Sequence, residues 1–124
     1  MMADPRDPTL RVTMLPRDTN AHGTIFGGAI LSHLDLAGAI AASRQAPRNF
    51  VTRAMREVGF IAPVYVGDVV SFYTRVLREG KTSLTIQVVV EAERIKEPQR
   101  RVKVTEAEIV YVAVDEAGNP ISIR

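Results

Sequence analysis

A chain of 124 residues with no cysteine and a formal net charge of +2 is sized for one core that buries roughly two-thirds of its unfolded surface. Disulfide frameworks and thiolate metal sites are excluded, and no basic stripe with interleaved aromatics marks a nucleic-acid partner. No apolar run approaches the ~18 residues of a membrane span, and MMADPRDPTL lacks the apolar stretch of a signal peptide, so a cytoplasmic protein without membrane association is expected.

Leu10, Val12 and Met14 alternate with polar neighbours, a short strand that stops at Pro16. The turn-forming run RDTNAHG, Arg17 to Gly23, follows. From Gly28 to about Arg44 the Ala and Leu content predicts a helix, ended by Ala46-Pro47. Almost none of its faces is polar, so something must wrap it. Phe50 to Ile61 is strand-like and closed by Pro63, and Val64 to Leu77 follows with the turn Val66-Gly67-Asp68 inside it. Glu79-Gly80-Lys81 reads as a hairpin turn. Ser83 to Ile95 is dense in Val, Ile and Thr; Lys96 to Arg101 reads as a charged loop around Pro98; Val102 to Val114 alternates again. Asp115 to Pro120 forms a last turn.

One buried helix followed by three or four long antiparallel strands gives an α+β domain over residues 1–124, core about 10–114, in which the sheet curls round the helix. Long sheet edges invite pairing with a second copy, so a homodimer is expected.

Asp35 lies in the middle of that apolar helix. A carboxylate is rarely left buried without a partner. Either it accepts hydrogen bonds that pin a neighbouring segment, or it lines a cleft and handles a proton or a water. Gly27-Gly28 at the start of the helix raises the weight of the second reading. Helix-opening glycines let a ligand approach backbone N–H groups that have no intrahelical partner, and such donors at the positive end of the helix suit a developing oxyanion. Seven residues along a helix are about 10 Å, too far for both groups to meet one carbonyl. Two helices antiparallel across a dimer axis would bring Gly28 of one copy opposite Asp35 of the other.

The string TNAHGTIFGGAILSHLDLAG, then REVGFIAPVYVGD from Arg56 to Asp68, then GKTS from Gly80 to Ser83, together resemble the hotdog-fold acyl-CoA thioesterases, in particular their bacterial YciA-type branch. The resemblance runs from about Leu10 to Val114. It implies a hotdog fold, a long central helix wrapped by a curved antiparallel sheet, in a homodimer with shared active sites assembled further as a trimer of dimers. It implies hydrolysis of acyl-coenzyme A to a free acid and coenzyme A, without metal or organic cofactor. By motif position, Asp35 matches the family's helix carboxylate, general base or nucleophile. Gly27 and Gly28 match the backbone donors to the thioester carbonyl, and Asn20 an asparagine near the site. Thr52 and Arg53, and the turn Gly80, Lys81, Thr82 and Ser83, fall where relatives hold the coenzyme A portion. His22 stands where those relatives carry asparagine, which leaves its role between proton transfer and local hydrogen bonding.

His22, His33 and Asp35 match no common zinc spacing, and none of Ser32, Ser43, Ser71, Ser83 and Ser122 sits in a GxSxG elbow. Arg94, Lys96, Arg100, Arg101 and Lys103 form a basic cluster that either contacts the phosphates of coenzyme A or is simply solvated. Ala29, Leu31, Leu34 and Phe60 are candidates for an acyl tunnel. A hotdog hydratase or dehydratase, which would pair a histidine with the acid, and a non-catalytic acyl-CoA-binding protein remain the alternatives.

Overall fold

A computed structural model of the chain describes residues 7–124, with only the backbone described at 98 and 99. Residues 1–6, which carry part of the expectation about a leader, lie outside the described residues. In chain order come β1 (Leu10–Thr13), a short 3-10 turn (Pro16–Asp18), α1 (Gly27–Gln45), β2 (Asn49–Arg56), β3 (Val69–Glu79), β4 (Ser83–Arg94) and β5 (Glu97–Val114). The strands form one five-stranded sheet in the order β1-β3-β4-β5-β2, antiparallel at every junction. This is the expected α+β arrangement, with short β1 added to four longer strands. β2 pairs with β5 at one edge, so residues 57–68 cross the sheet to reach β3.

The sheet faces the helix with its alternate residues: Val70 and Phe72 on β3, Leu84, Ile86, Val88 and Val90 on β4, Ile109 and Tyr111 on β5, all fully buried. α1 answers with Ile30, Leu34, Ala37, Gly38 and Ala42, one stripe at helical spacing, packed on β2 through β5. Each fully buried Ile or Leu on it contributes roughly 1.5–3 kcal/mol. The helix starts on Gly27, a residue earlier than expected, and stops where Pro47 follows its C-cap, Ala46. Leu36, on the opposite side, is 51% exposed. A single copy of the chain thus covers only part of a helix whose sequence asks for cover all round. Phe26, Val51, Phe60 and Ile61 are also exposed.

The charged loop expected at Lys96 to Arg101 is corrected. The β4–β5 turn is only Ile95-Lys96, and β5 begins at Glu97, paired with Arg94. Opposite charges meet across the strands, Glu93 with Arg101 and Glu91 with Lys103, so the charge run is a strand face stabilised by cross-strand pairs. The register jumps between Glu93 and Arg94. The strand expected over Phe50 to Ile61 ends early, at Arg56, because Glu57 turns to φ 55°. The Val66-Gly67-Asp68 turn is as expected, with Gly67 at φ 90°. Buried Asp68 accepts from the Tyr65 N–H at 2.9 Å and from Arg94, which also donates to the Pro63 carbonyl at 3.0 Å. That ion pair fastens the crossing segment to the end of β4.

Candidate active site

Asp35 sits half-buried beside the core stripe of α1 and faces the seam between the helix and edge strand β2. Its Oδ1 accepts two hydrogen bonds, from the Thr52 hydroxyl at 2.7 Å and from the Tyr111 hydroxyl at 3.1 Å. The Tyr111 hydroxyl also lies 2.8 Å from the Asp35 backbone carbonyl. Oδ2 has no protein partner among the described residues. The expectation that Asp35 pins a neighbouring segment is therefore partly met, since the carboxylate ties β2 and β5 to the helix. It does so with one oxygen and leaves the other open.

Two local features make this geometry. On β2 the register slips between Thr52 and Ala54, leaving Arg53 as the extra residue of a bulge. Thr52 opposes Tyr111, and Met55 opposes Ile109. Without the bulge, strict alternation would send Met55 outward whenever Thr52 faces the helix. On α1, Gly38 leaves room for the tyrosine, because a Cβ there would overlap the Tyr111 hydroxyl. Burial pushes the Tyr111 phenol far above its usual range, with the charge of Asp35 and the hydrogen bond to it adding to the shift. Tyr111 is thus a neutral donor at any working pH. Neither Tyr111 nor Gly38 was singled out in the sequence as a site residue. The only available signal for Tyr111 was its inward place in an alternating strand.

At the other end of the helix run, the Phe26 N–H is tied to the Asp18 carbonyl at 2.7 Å and the Ile25 N–H to the Val64 carbonyl at 2.7 Å. The Phe26 carbonyl receives Ala29 at 3.0 Å, while the amides of Gly27 and Gly28 meet no acceptor among the described residues. Gly28 is exposed. Beside them opens an apolar cleft of about 270 Å³ lined by Ile25, Ile30, Phe60, Ile61 and Val64. Phe60, one of the tunnel candidates, lines this cleft. Leu34 does not, being sealed in the core, and Ala29 and Leu31 are half-buried against it. Within one chain the Gly28 amide and Asp35 stay about 10 Å apart along the helix.

The other expected residues fall into distinct settings. Asn20 closes its own loop: Oδ1 accepts from the backbone N–H of His22 at 2.8 Å and of Thr24 at 3.2 Å, and Nδ2 donates to the Thr24 hydroxyl at 2.9 Å. His22 is exposed on that loop. The His33 ring is bound through Nδ1 to the Ala29 carbonyl at 2.8 Å. The β3–β4 turn is held by Gly80 N–H to Ser83 carbonyl at 2.8 Å, and its Lys81 and Thr82 carbonyls accept from Ile123 and Ala113. Thr52, Tyr111, Leu84 and Glu79 are partners in successive strands, so this turn rims the same end of the sheet as Thr52 and Arg53, ~10–14 Å across at ~4.8 Å per strand. The basic cluster is largely matched by acids: Arg94 with Asp68, Arg100 with Glu97, Lys103 with Glu106. Among the described residues no three of His, Cys, Asp and Glu come together as metal ligands.

Comparison with known proteins bears on the family and the fold. The family model described as the thioesterase superfamily matches residues 22–99. The acyl-CoA thioester hydrolase YciA of Escherichia coli (strain K12) is 44% identical over 116 residues, covering 92% of this chain and 88% of that protein. The protein of the same name in Salmonella typhimurium is 44% identical over 113 residues, 90% of this chain and 85% of that one. Among solved structures, a hexameric hotdog fold thioesterase of Campylobacter jejuni superposes with a TM-score of 0.91 at 41% identity, covering 98% of this chain and 93% of that one. A hexameric broad specificity acyl-coenzyme A thioesterase gives 0.90 at 39% identity, over 98% and 84% of the two chains. The chain belongs to the thioesterase superfamily, as a hotdog-fold member of its acyl-CoA thioester hydrolases.

Proposed function

We propose that the protein hydrolyses acyl-coenzyme A to the free acid and coenzyme A, with Asp35 as the general base. The observation that carries this reading is a helix carboxylate with one anchored and one open oxygen, on the same helix as two free N-terminal amides beside an apolar cleft. Water attacks the thioester carbonyl while Asp35 takes its proton. The Gly27 and Gly28 amides receive the oxyanion. The tetrahedral intermediate collapses with loss of the coenzyme A thiolate, a good leaving group that needs little acid assistance, so no metal or organic cofactor enters the scheme. The acyl chain lies along Phe60, Ile61, Ile25 and Ile30. Arg53 and the Gly80, Lys81, Thr82 and Ser83 turn hold the coenzyme A portion, with His22 near its entrance. Asn20 acts through the loop that it closes, fixing the approach to the helix N-terminus.

The separation of about 10 Å between amides and acid calls for a site shared by two copies, the Gly28 amide of one facing Asp35 of the other. The apolar residues exposed on α1 and β2, with the free edge of β2, support a homodimer built on that face, and the hexameric relatives support a trimer of dimers. No helix among the described residues is long and apolar enough to cross a membrane, in keeping with a cytoplasmic enzyme. The test is thiol release from acyl-CoAs of graded chain length. Release at catalytic rates supports the reading; binding of every acyl-CoA with no release refutes it.

A further inference from the structure

We propose that residues 120–124 form a strap that presets the β3–β4 turn for coenzyme A, with Arg124 as its positioning residue. The inference rests on the hydrolytic reading above, in which the turn of Gly80, Lys81, Thr82 and Ser83 holds the coenzyme A portion. It gives a segment outside the expected core of residues 10–114 a part in substrate affinity.

A turn at the end of a sheet is ordinarily among the mobile parts of a fold. This one is tied to a segment that is itself fixed. Past β5 the chain reverses through residues 115–119, where Asp115 Oδ1 accepts from the N–H groups of Ala117 and Asn119 at 2.9 Å and Gly118 takes φ 87°. It returns beside the end of β5, with Pro120 bridged to Val114 and the Ile121 N–H on the Ala113 carbonyl at 2.9 Å. Ile123 is 2% exposed in the core, and the Ser122 carbonyl accepts from Arg48 Nε, just past α1, at 3.0 Å. From that base two ties reach the turn. The Ile123 N–H donates to the Lys81 carbonyl at 2.9 Å. Arg124 donates from Nε and Nη2 to the two carboxylate oxygens of Glu79, each at 2.9 Å. Glu79 is the last residue of β3, so the pair sets the direction in which the chain enters Gly80. A bidentate pair of this kind fixes orientation as well as supplying attraction. β5 adds a further tie, from the Ala113 N–H to the Thr82 carbonyl at 2.8 Å.

The Lys81 and Thr82 carbonyls are thus taken up by the protein's own donors, while the Lys81 and Thr82 amides meet no acceptor among the described residues. Successive open amides in a turn are the kind of donor set that anionic oxygens use, and coenzyme A brings a 3′-phosphate and a pyrophosphate. Holding such a turn in place before the ligand arrives lowers the ordering cost of binding. The turn is remote from the reacting carbonyl, so its contacts act equally on substrate and transition state. Loosening it should therefore appear in KM and leave kcat alone.

The experiment takes the full chain as wild type, Glu79→Gln, Arg124→Gln and the double variant. It measures kcat and KM for thiol release from one good acyl-CoA and the Kd of coenzyme A itself by calorimetry, with a melting curve for each protein. Both side chains lie at the surface, so all four proteins should fold. The sign of the effect separates a strap from a simple charge. If Arg124 only attracted phosphate, losing it would weaken binding, and losing the acid beside it would tighten binding. A strap is broken from either side, so both single variants should raise KM and the Kd of coenzyme A about two- to fivefold, with kcat within about 1.5-fold of wild type. The double variant should be no weaker than the weaker single one, because the two residues act through one contact. Shifts of opposite sign in the two single variants overturn the inference. So do unchanged KM and Kd in both, which would leave the pair a tie of the fold alone, and so does a loss carried by kcat. A wild type that binds coenzyme A and releases no thiol fails the hydrolytic reading, while the Kd values still decide the strap. An active wild type whose affinities ignore both substitutions fails only this inference.

Discussion

Replacing Asp35 by asparagine separates the two jobs that the carboxylate holds. The amide oxygen can take the place of Oδ1 and accept from Thr52 and Tyr111, now at 2.7 and 3.1 Å, while the amide nitrogen takes the place of Oδ2 and cannot accept a proton. Folding should therefore change little, by ~1 kcal/mol or less, since two charge-assisted bonds become neutral ones. Turnover should fall by ~10²–10⁴, the usual worth of a positioned general base. Asp35→Ala removes the acceptor altogether. Tyr111 keeps the residue 35 carbonyl at 2.8 Å and exposed Thr52 can turn to water, so the cost is ~1–3 kcal/mol, about 4 °C of Tm for each kcal/mol in a chain of this size. Thiol release and thermal melts on the two variants in parallel give the comparison. The reasoning is refuted if Asp35→Asn hydrolyses acyl-CoA at the wild-type rate, or if it melts as low as Asp35→Ala.

Gly38→Ala puts a methyl group where the Tyr111 hydroxyl lies; overpacking of this kind costs ~1–3 kcal/mol, so Tm should drop and kcat should fall with it as Tyr111 is pushed off Asp35. Arg94→Met leaves Asp68, 2% exposed, with only the Tyr65 N–H as partner, and breaking a buried pair from one side costs ~3–5 kcal/mol, read as a lower denaturation midpoint; adding Asp68→Asn should restore part of the loss. The Arg124 guanidinium, donating to Glu79 at 2.9 Å from both Nε and Nη2, holds that carboxyl below its usual range. Its folded pKa is depressed, so the pair's contribution is complete above the ordinary glutamate value of about 4.3 and is lost as pH falls through the lower folded value. Glu79→Gln should accordingly flatten that stretch of the acid limb of a stability–pH curve and leave neutral pH almost unchanged.

What could be read from the sequence follows the range of the physics involved. The helix was legible because its signals are local: helix-opening glycines, an Ala-rich run, and Pro47 just past the end. Asp35 was legible because it breaks the pattern of that run. Its partners were not, since Tyr111 is 76 residues away and nothing local distinguishes it from any other inward residue of β5. The charge run from Lys96 to Arg101 misled for a related reason. Taken alone it is the composition of a solvated loop, and only the facing acids of β4, Glu91 and Glu93, make it a strand. Leu34 was offered as a tunnel residue because one helix position looks much like another until the sheet chooses a face.

The bulge at Arg53 shows the limit most sharply. Alternation from Phe50 and Thr52 sends Ala54 inward, yet Met55 is the residue that packs on the core, and the half-turn of parity is absorbed by one unpaired residue. A sequence carries no separate symbol for such a slip, because its cause is the partner strand. β5 brings Tyr111 and then Ile109 to the inner face, and β2 must match both while its Thr52 reaches α1. The slip that sequence cannot record is therefore the same one that presents a hydroxyl to Asp35. If the bulge serves the site rather than the fold, deleting Arg53 should shift the register of everything beyond it. Either Thr52 leaves Asp35, or Met55 leaves the core. The first outcome is a folded protein with thiol release reduced, the second a protein of lowered Tm, and a variant with neither change would show that β2 is not held in register by these contacts.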